Sequence, residues 1–129
     1  MKFVILLAAL CAVAYAGSHN CRCAVFFTSD VSDDHTVYSI PEYFMLSCQP
    51  TEPCRMSCLA ALTGLTDNGN LEHMTSQNIT VRQLACRNYK KDIQNGQLGV
   101  YYSTCGNAWQ KIRDSKDKVC CKEGASISC

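Results

Sequence analysis

Cysteine is the residue through which this chain has most scope for chemistry, and two of its spacings matter. In Cys21-Arg-Cys23 the two thiols are two residues apart, and in Cys54-Arg-Met-Ser-Cys58 they are four apart. Residues two apart on a strand share a face and lie about 6.6 Å from each other. Residues four apart on a helix share a face and lie roughly one turn, about 6 Å, apart. Such pairs can cross-link, hold a metal or present a reactive thiol. The matching separations suggest a helix bolted to a strand, with Cys21 and Cys23 facing Cys54 and Cys58. The alternative is that each cysteine pairs with some other element, because spacing alone does not fix connectivity.

The N-terminus decides among these chemistries. Met1-Lys2 is a short basic start, Phe3 to Val13 is an apolar run too short to span a bilayer, and Ala14-Tyr15-Ala16 is a small-x-small cleavage site. Residues 1–16 therefore read as a signal peptide, and residues 17–129 as one disulfide-rich domain, soluble, secreted and extracellular. Of 11 cysteines, Cys11 leaves with the leader. Cys21, Cys23, Cys48, Cys54, Cys58, Cys86, Cys105, Cys120, Cys121 and Cys129 remain, an even set that implies five disulfides in an oxidising compartment. Zinc is the competing reading, which that compartment disfavours. No metal and no cofactor is expected. Cys120-Cys121 should point to opposite faces of one strand and tie two different elements to it, because neighbours bond each other only under strain. Cys129 should fasten the C-terminal segment.

Little else looks catalytic. The histidines are His19, in the lead-in, and His35 and His73, in or near polar turns. Serine-hydrolase, zinc-protease and phosphate-loop motifs are missing. Asp33-Asp34-His35 reads better as a solvated turn than as an acid–base cluster, and the acidic segment lacks calcium-loop spacing. The chain is expected not to be an enzyme. Asn78-Ile79-Thr80 is its N-glycosylation sequon, which should sit on the surface at the entry to a helix.

Charge points to a binding role. Without Lys2 the chain balances basic against acidic residues, which argues against bulk nucleic-acid binding. Residues 30–52 hold Asp30, Asp33, Asp34, Glu42 and Glu52 and no lysine or arginine, whereas residues 82–122 are rich in both. The interaction candidates are Lys90, Lys91, Lys111, Arg113, Lys116, Lys118 and Lys122, with Tyr101, Tyr102 and Trp109 as aromatic anchors. Lys111 and Arg113 share a face if their segment is a regular strand. The competing reading makes Trp109 core and the lysines solubilising.

The elements that position these residues follow from pattern. Cys21 to Thr28 is β-rich, residues 29–34 form a polar turn, and His35 to Ile40 reads as a second strand that Pro41 stops or places on an edge. Glu42 to Cys48 is ambiguous. Pro53 to Gly64 reads as a helix whose apolar face carries Cys54, Cys58, Ala61, Leu62 and Leu65. Asn68-Gly69 is a turn. A second helix runs from Val81 to about Lys91, with Thr80 and Gln83 at capping-box spacing, Val81, Leu84, Ala85 and Tyr89 on one side, and Cys86 near its edge. Asn95-Gly96 reads as a turn. Strands follow over 98–104, 109–113 and 118–122, with a break at Cys105-Gly106-Asn107 and a turn at 114–117. The fold class is α+β, a small disulfide-rich domain with two short helices packed on antiparallel strands.

The leader, the early Cys-x-Cys, the helical Cys-x3-Cys and the late Cys-Cys pair together resemble the molluscan cysteine-rich neurotrophic factor. That resemblance implies a secreted growth factor that acts through the low-affinity neurotrophin receptor, whose acidic ectodomain suits a basic partner. The cystine-knot spacing of the neurotrophins proper is not shown here, so a knot is not expected. The expected function is a signalling ligand that binds an extracellular receptor through a surface patch, with no membrane insertion and with a homodimer as a further state to test. The alternatives are a defence protein or toxin, and a protease inhibitor with residues 66–78 as its reactive loop.

Overall fold

Strand β1, Asn20–Phe27, is buried on both faces. Cys21, Cys23, Val25 and Phe27 join the main core on one side, while Ala24 and Phe26 pack with Tyr101 and Trp109 on the other. Two-sided burial marks a central strand, and β1 lies between two partners in a five-stranded antiparallel sheet of order β2-β1-β3-β4-β5. The other strands are β2 (Tyr38–Phe44), β3 (Ile93–Thr104), β4 (Gln110–Lys122) and β5 (Ala125–Ile127). Helices α1 (Glu52–Thr66) and α2 (Val81–Tyr89) contribute to the same main core and so cover one face of the sheet. The α+β expectation holds broadly, with strands outweighing helices. The computed structural model describes residues 19–66 and 70–129, the side chains of 63–66 excepted. The expected leader, the start of the lead-in, the side chain of Leu65 and the Asn68-Gly69 turn lie outside the described residues.

Five disulfides hold these layers. Cys21 bonds Cys54 and Cys23 bonds Cys58, so the staple between β1 and α1 follows the matched spacings. Cys86 of α2 bonds Cys121, and Cys120 bonds Cys129. The adjacent cysteines of β4 thus serve two elements, as alternation along a strand requires. Cys48 bonds Cys105, which joins the segment before α1 to the β3–β4 turn. That turn forms at Cys105 and Gly106, both at positive φ.

Several boundaries differ from the sequence reading. Helix α1 continues through Gly64 to Thr66, and Ala61 is exposed, so among the described side chains the buried stripe is Cys54, Cys58 and Leu62. Helix α2 ends at Tyr89, because Lys90 takes a left-handed conformation and its N–H bonds the Cys86 carbonyl. Cys86 is fully buried rather than marginal. Thr80 caps α2 by accepting from the Gln83 N–H. The Gln83 side chain does not close the box: its amide donates to the Gly124 carbonyl and accepts from the Ser126 N–H, clamping the β4–β5 hairpin.

The second strand starts later than expected, at Tyr38, after a 3-10 turn at Asp33–His35, and runs through Pro41 to Phe44. A register shift opposite Cys21–Cys23 absorbs the proline on this edge strand. Asn95-Gly96 is not a turn but lies within β3, where Asn95 has a φ of 52° at a second register shift. Gly96 is there because the ring of Phe27 presses on it: a Cβ would sit 2.8 Å from that ring. The two strands and turn expected over 109–122 are one strand, β4. Residues 115–117 bulge out, and Ser115 stitches the gap: its Oγ accepts from the Leu98 N–H and donates to the Asp117 carbonyl. Strand β5 was not expected.

The disulfides should contribute unequally. The staple Cys23–Cys58 closes 35 residues and has two buried ends, whereas Cys120–Cys129 closes only 9 and has an exposed one. Replacing Cys23 and Cys58 by Ala should cost about 4 kcal/mol, against about 2.5 kcal/mol for the Cys120/Cys129 pair, from loop entropy. Denaturant midpoints of the two variants check the order.

Candidate functional site

On the sheet face away from the helices, Arg22 emerges between two core-facing cysteines. Its guanidinium lies 4.5 Å from the centre of the Trp109 ring. Asp33 accepts from Trp109 Nε1 at 2.9 Å and from Arg22 at 3.4 Å, and a second Arg22 nitrogen donates to Ser103 Oγ at 3.3 Å. Phe26 forms the floor, edge-on to Trp109 at 5.0 Å and to Tyr101 at 5.4 Å. Gly99 makes room for the Tyr101 ring, since a Cβ there would sit 2.8 Å from Tyr101 Cε1. The Trp109 hydrogen bond, aided by the Arg22 charge, holds the Asp33 carboxyl below its usual range. Burial raises the Tyr101 hydroxyl. Beside this stack a groove of about 310 Å³ opens between Trp109 and strand β2, reaching Ser39 and Glu42.

A second polar cluster joins the loop after β1 to the end of α2. Asp30 Oδ1 lies 2.9 Å from His35 Nδ1, and Tyr89 donates to Asp30 Oδ2 at 2.8 Å. Lys91 Nζ is 2.9 Å from His35 Nε2 and 3.5 Å from Asp30. An ammonium can only donate, so Nε2 accepts and Nδ1 carries the proton toward Asp30. The carboxylate partner of His35 is thus Asp30, outside the Asp33-Asp34-His35 triplet, while Asp33 belongs to the tryptophan stack. Hydrogen bonds from His35 and Tyr89 hold the Asp30 carboxyl low. Burial, then Asp30, pushes Tyr89 up to about 12.

The basic candidates do not form one patch. Lys90 and Lys91 follow α2, and Lys91 is spent on Asp30 and His35. A register shift puts Lys111 opposite Tyr101 but Arg113 opposite Val100, residues that point to opposite faces, so the shared face expected for the two basic residues is lost. Lys111 pairs with Asp114 at 3.1 Å. Arg113 lies near Leu71, Leu98 and Val100 on the helix side. Lys118 and Lys122 project away from the helices, because Val119 and Cys121 enter the main core. Lys116 is exposed in the bulge. Tyr101 is 6 % exposed and Tyr102 packs against the main core on the other face, so neither presents an open ring. Trp109 is half-buried. His19 lies 6.4 Å from the Phe44 ring. Asn78 is exposed, at a φ of 63°, three residues before α2. Cys21, Cys23 and Cys58 have clustered sulfurs, but all three are in disulfides.

Sequence reasoning missed Arg22, Ser39 and Glu42 as site residues. One signal was present for Arg22: between two core-facing cysteines on a strand it has to project from the opposite face. Comparison with protein-family models, with curated proteins and with solved structures gives no match.

The lowered Asp30 carboxyl fixes the sign of a pH effect. Its ionised form contributes stability above the unfolded-state value, and this is lost as pH falls through the lower folded-state value. Asp30→Asn should therefore lower the denaturation midpoint at about pH 7, and the gap to the parent should close near pH 2. Paired unfolding curves at the two pH values check this.

Proposed function

We propose that this protein is an extracellular signalling ligand that binds a receptor by surface contact, without catalysis. The observation that carries the reading is the outer side of β4. Lys116, Lys118 and Lys122 are exposed there, and none has a carboxylate partner among the described residues. Cys120 and Cys121 anchor that strand to two other segments, so the charges stand on a fixed support. Unpaired ammonium groups on a rigid strand attract an acidic partner and lose little entropy on docking. The five disulfides are compatible with an extracellular setting, and no described helix is long and apolar enough to cross a membrane. The acidic ectodomain of the low-affinity neurotrophin receptor is the partner the family resemblance favours. Lys116→Glu with Lys118→Glu should slow association with that ectodomain about tenfold and flatten its salt dependence. Stopped-flow or surface-plasmon rates across a salt series read this, and unchanged rates would remove the lysines from the interface.

One observation favours a second reading, as a defence protein. The helix-to-strand double staple is the device by which defensin-like peptides are held. A membrane-active protein needs a cationic amphipathic surface. Here the basic β4 strand also carries Asp114 and Asp117. Anionic liposomes should therefore keep their contents when the oxidised protein is added; leakage would favour the defence reading. The proposed inhibitor loop gains no such support, since residues 66–78 contain no cysteine to fix it.

A further inference from the structure

We propose that the groove beside Trp109 binds a carbohydrate, taking one neutral sugar ring of a glycan. Its volume of about 310 Å³ lies at the small end of the range of roughly 300–1,000 Å³ in which ligands are held, which is room for a single ring. Its polar groups are of mixed sign and set side by side. Arg22 uses two of its nitrogens on Asp33 and Ser103 and keeps further N–H donors. The Ser39 hydroxyl and the Glu42 carboxylate have no side-chain partner among the described residues. A sugar hydroxyl both donates and accepts, so neighbouring hydroxyls on one ring can meet a guanidinium and a carboxylate at once. The indole of Trp109 supplies the apolar wall for a C–H face of the ring.

The same residues count against other occupants. A phosphate or sulfate would face Asp33 and Glu42, and a lysine side chain would bring an ammonium up to Arg22. The wall is also set in advance. Asp33 holds both Trp109 and Arg22, and the Cys23–Cys58 bond fixes the strand beneath. A site that needs no ordering on binding keeps more of its contact energy as affinity. This groove is separate from the lysines of β4, so receptor docking and sugar binding can fail independently.

The chain has one tryptophan, and it stands in this wall, so tryptophan emission comes from beside the groove. The oxidised protein should be titrated with the methyl glycosides of mannose, galactose, glucose and N-acetylglucosamine. At least one should give a saturable emission change, matched by saturation-transfer NMR of the sugar. Glu42→Gln and Ser39→Ala alter surface groups and should each weaken that binding about tenfold, with the thermal midpoint and the emission of the free protein unchanged. The proposal is overturned if no sugar registers by either method, if both variants bind as the parent does, or if sulfate or a lysine peptide saturates the change and the neutral sugars do not.

Discussion

The rest of the fold hangs on the two disulfides between β1 and α1. Cys21–Cys54 and Cys23–Cys58 join residues two apart on a strand to residues four apart on a helix. Two bonds fix what one cannot, since the second removes rotation of the helix about the first. With α1 held in one orientation, Leu62 enters the same core as Val25 and Phe27. The other face of β1 is then free to carry Arg22, Ala24 and Phe26 toward the tryptophan stack. One strand thereby sets both layers, the helical core below and the polar groove above.

This staple was legible in the sequence because each side of it obeys a local period. The same holds for Cys120 and Cys121, which alternation sends to different partners, and for the start of α2 at Thr80. What was not legible depends on contacts between distant segments. Ser115 reads as a turn residue in its local setting, and only the opposing Leu98 makes it the clasp of a bulge. Asn95-Gly96 carries a turn signature, yet the Phe27 ring, far away in sequence, accounts for its glycine. Tyr101 looks like a surface aromatic beside Tyr102 until Gly99 and Phe26 make room for its ring. The cluster of Asp30, His35, Tyr89 and Lys91 has no local signature, because its members come from the loop after β1 and the end of α2, 59 residues apart at Asp30 and Tyr89.

The polar arrangements differ in what they can do. Around Asp30 the charges satisfy each other, and the cluster works as a clasp between the loop after β1 and α2. On β4 the exposed Lys116, Lys118 and Lys122 have no carboxylate partner among the described residues. The groove beside Trp109 is intermediate: Arg22 and Asp33 are paired, and Glu42 is available. The helix-to-strand staples act from one side of the sheet, and the lysines of β4 and the groove beside Trp109 lie on the other.

Strand order carries a cost during biosynthesis. β1 is made early, but its two neighbours are β2, close behind it, and β3, which pairs Cys21 with Thr104. Until the last third of the chain emerges, Val25, Phe26 and Phe27 have no sheet partner on that side. The two staples span only 33 and 35 residues, so both of their ends are made before β3. The β3 side of β1 thus stays uncovered until Leu98, Gly99 and Val100 have been made.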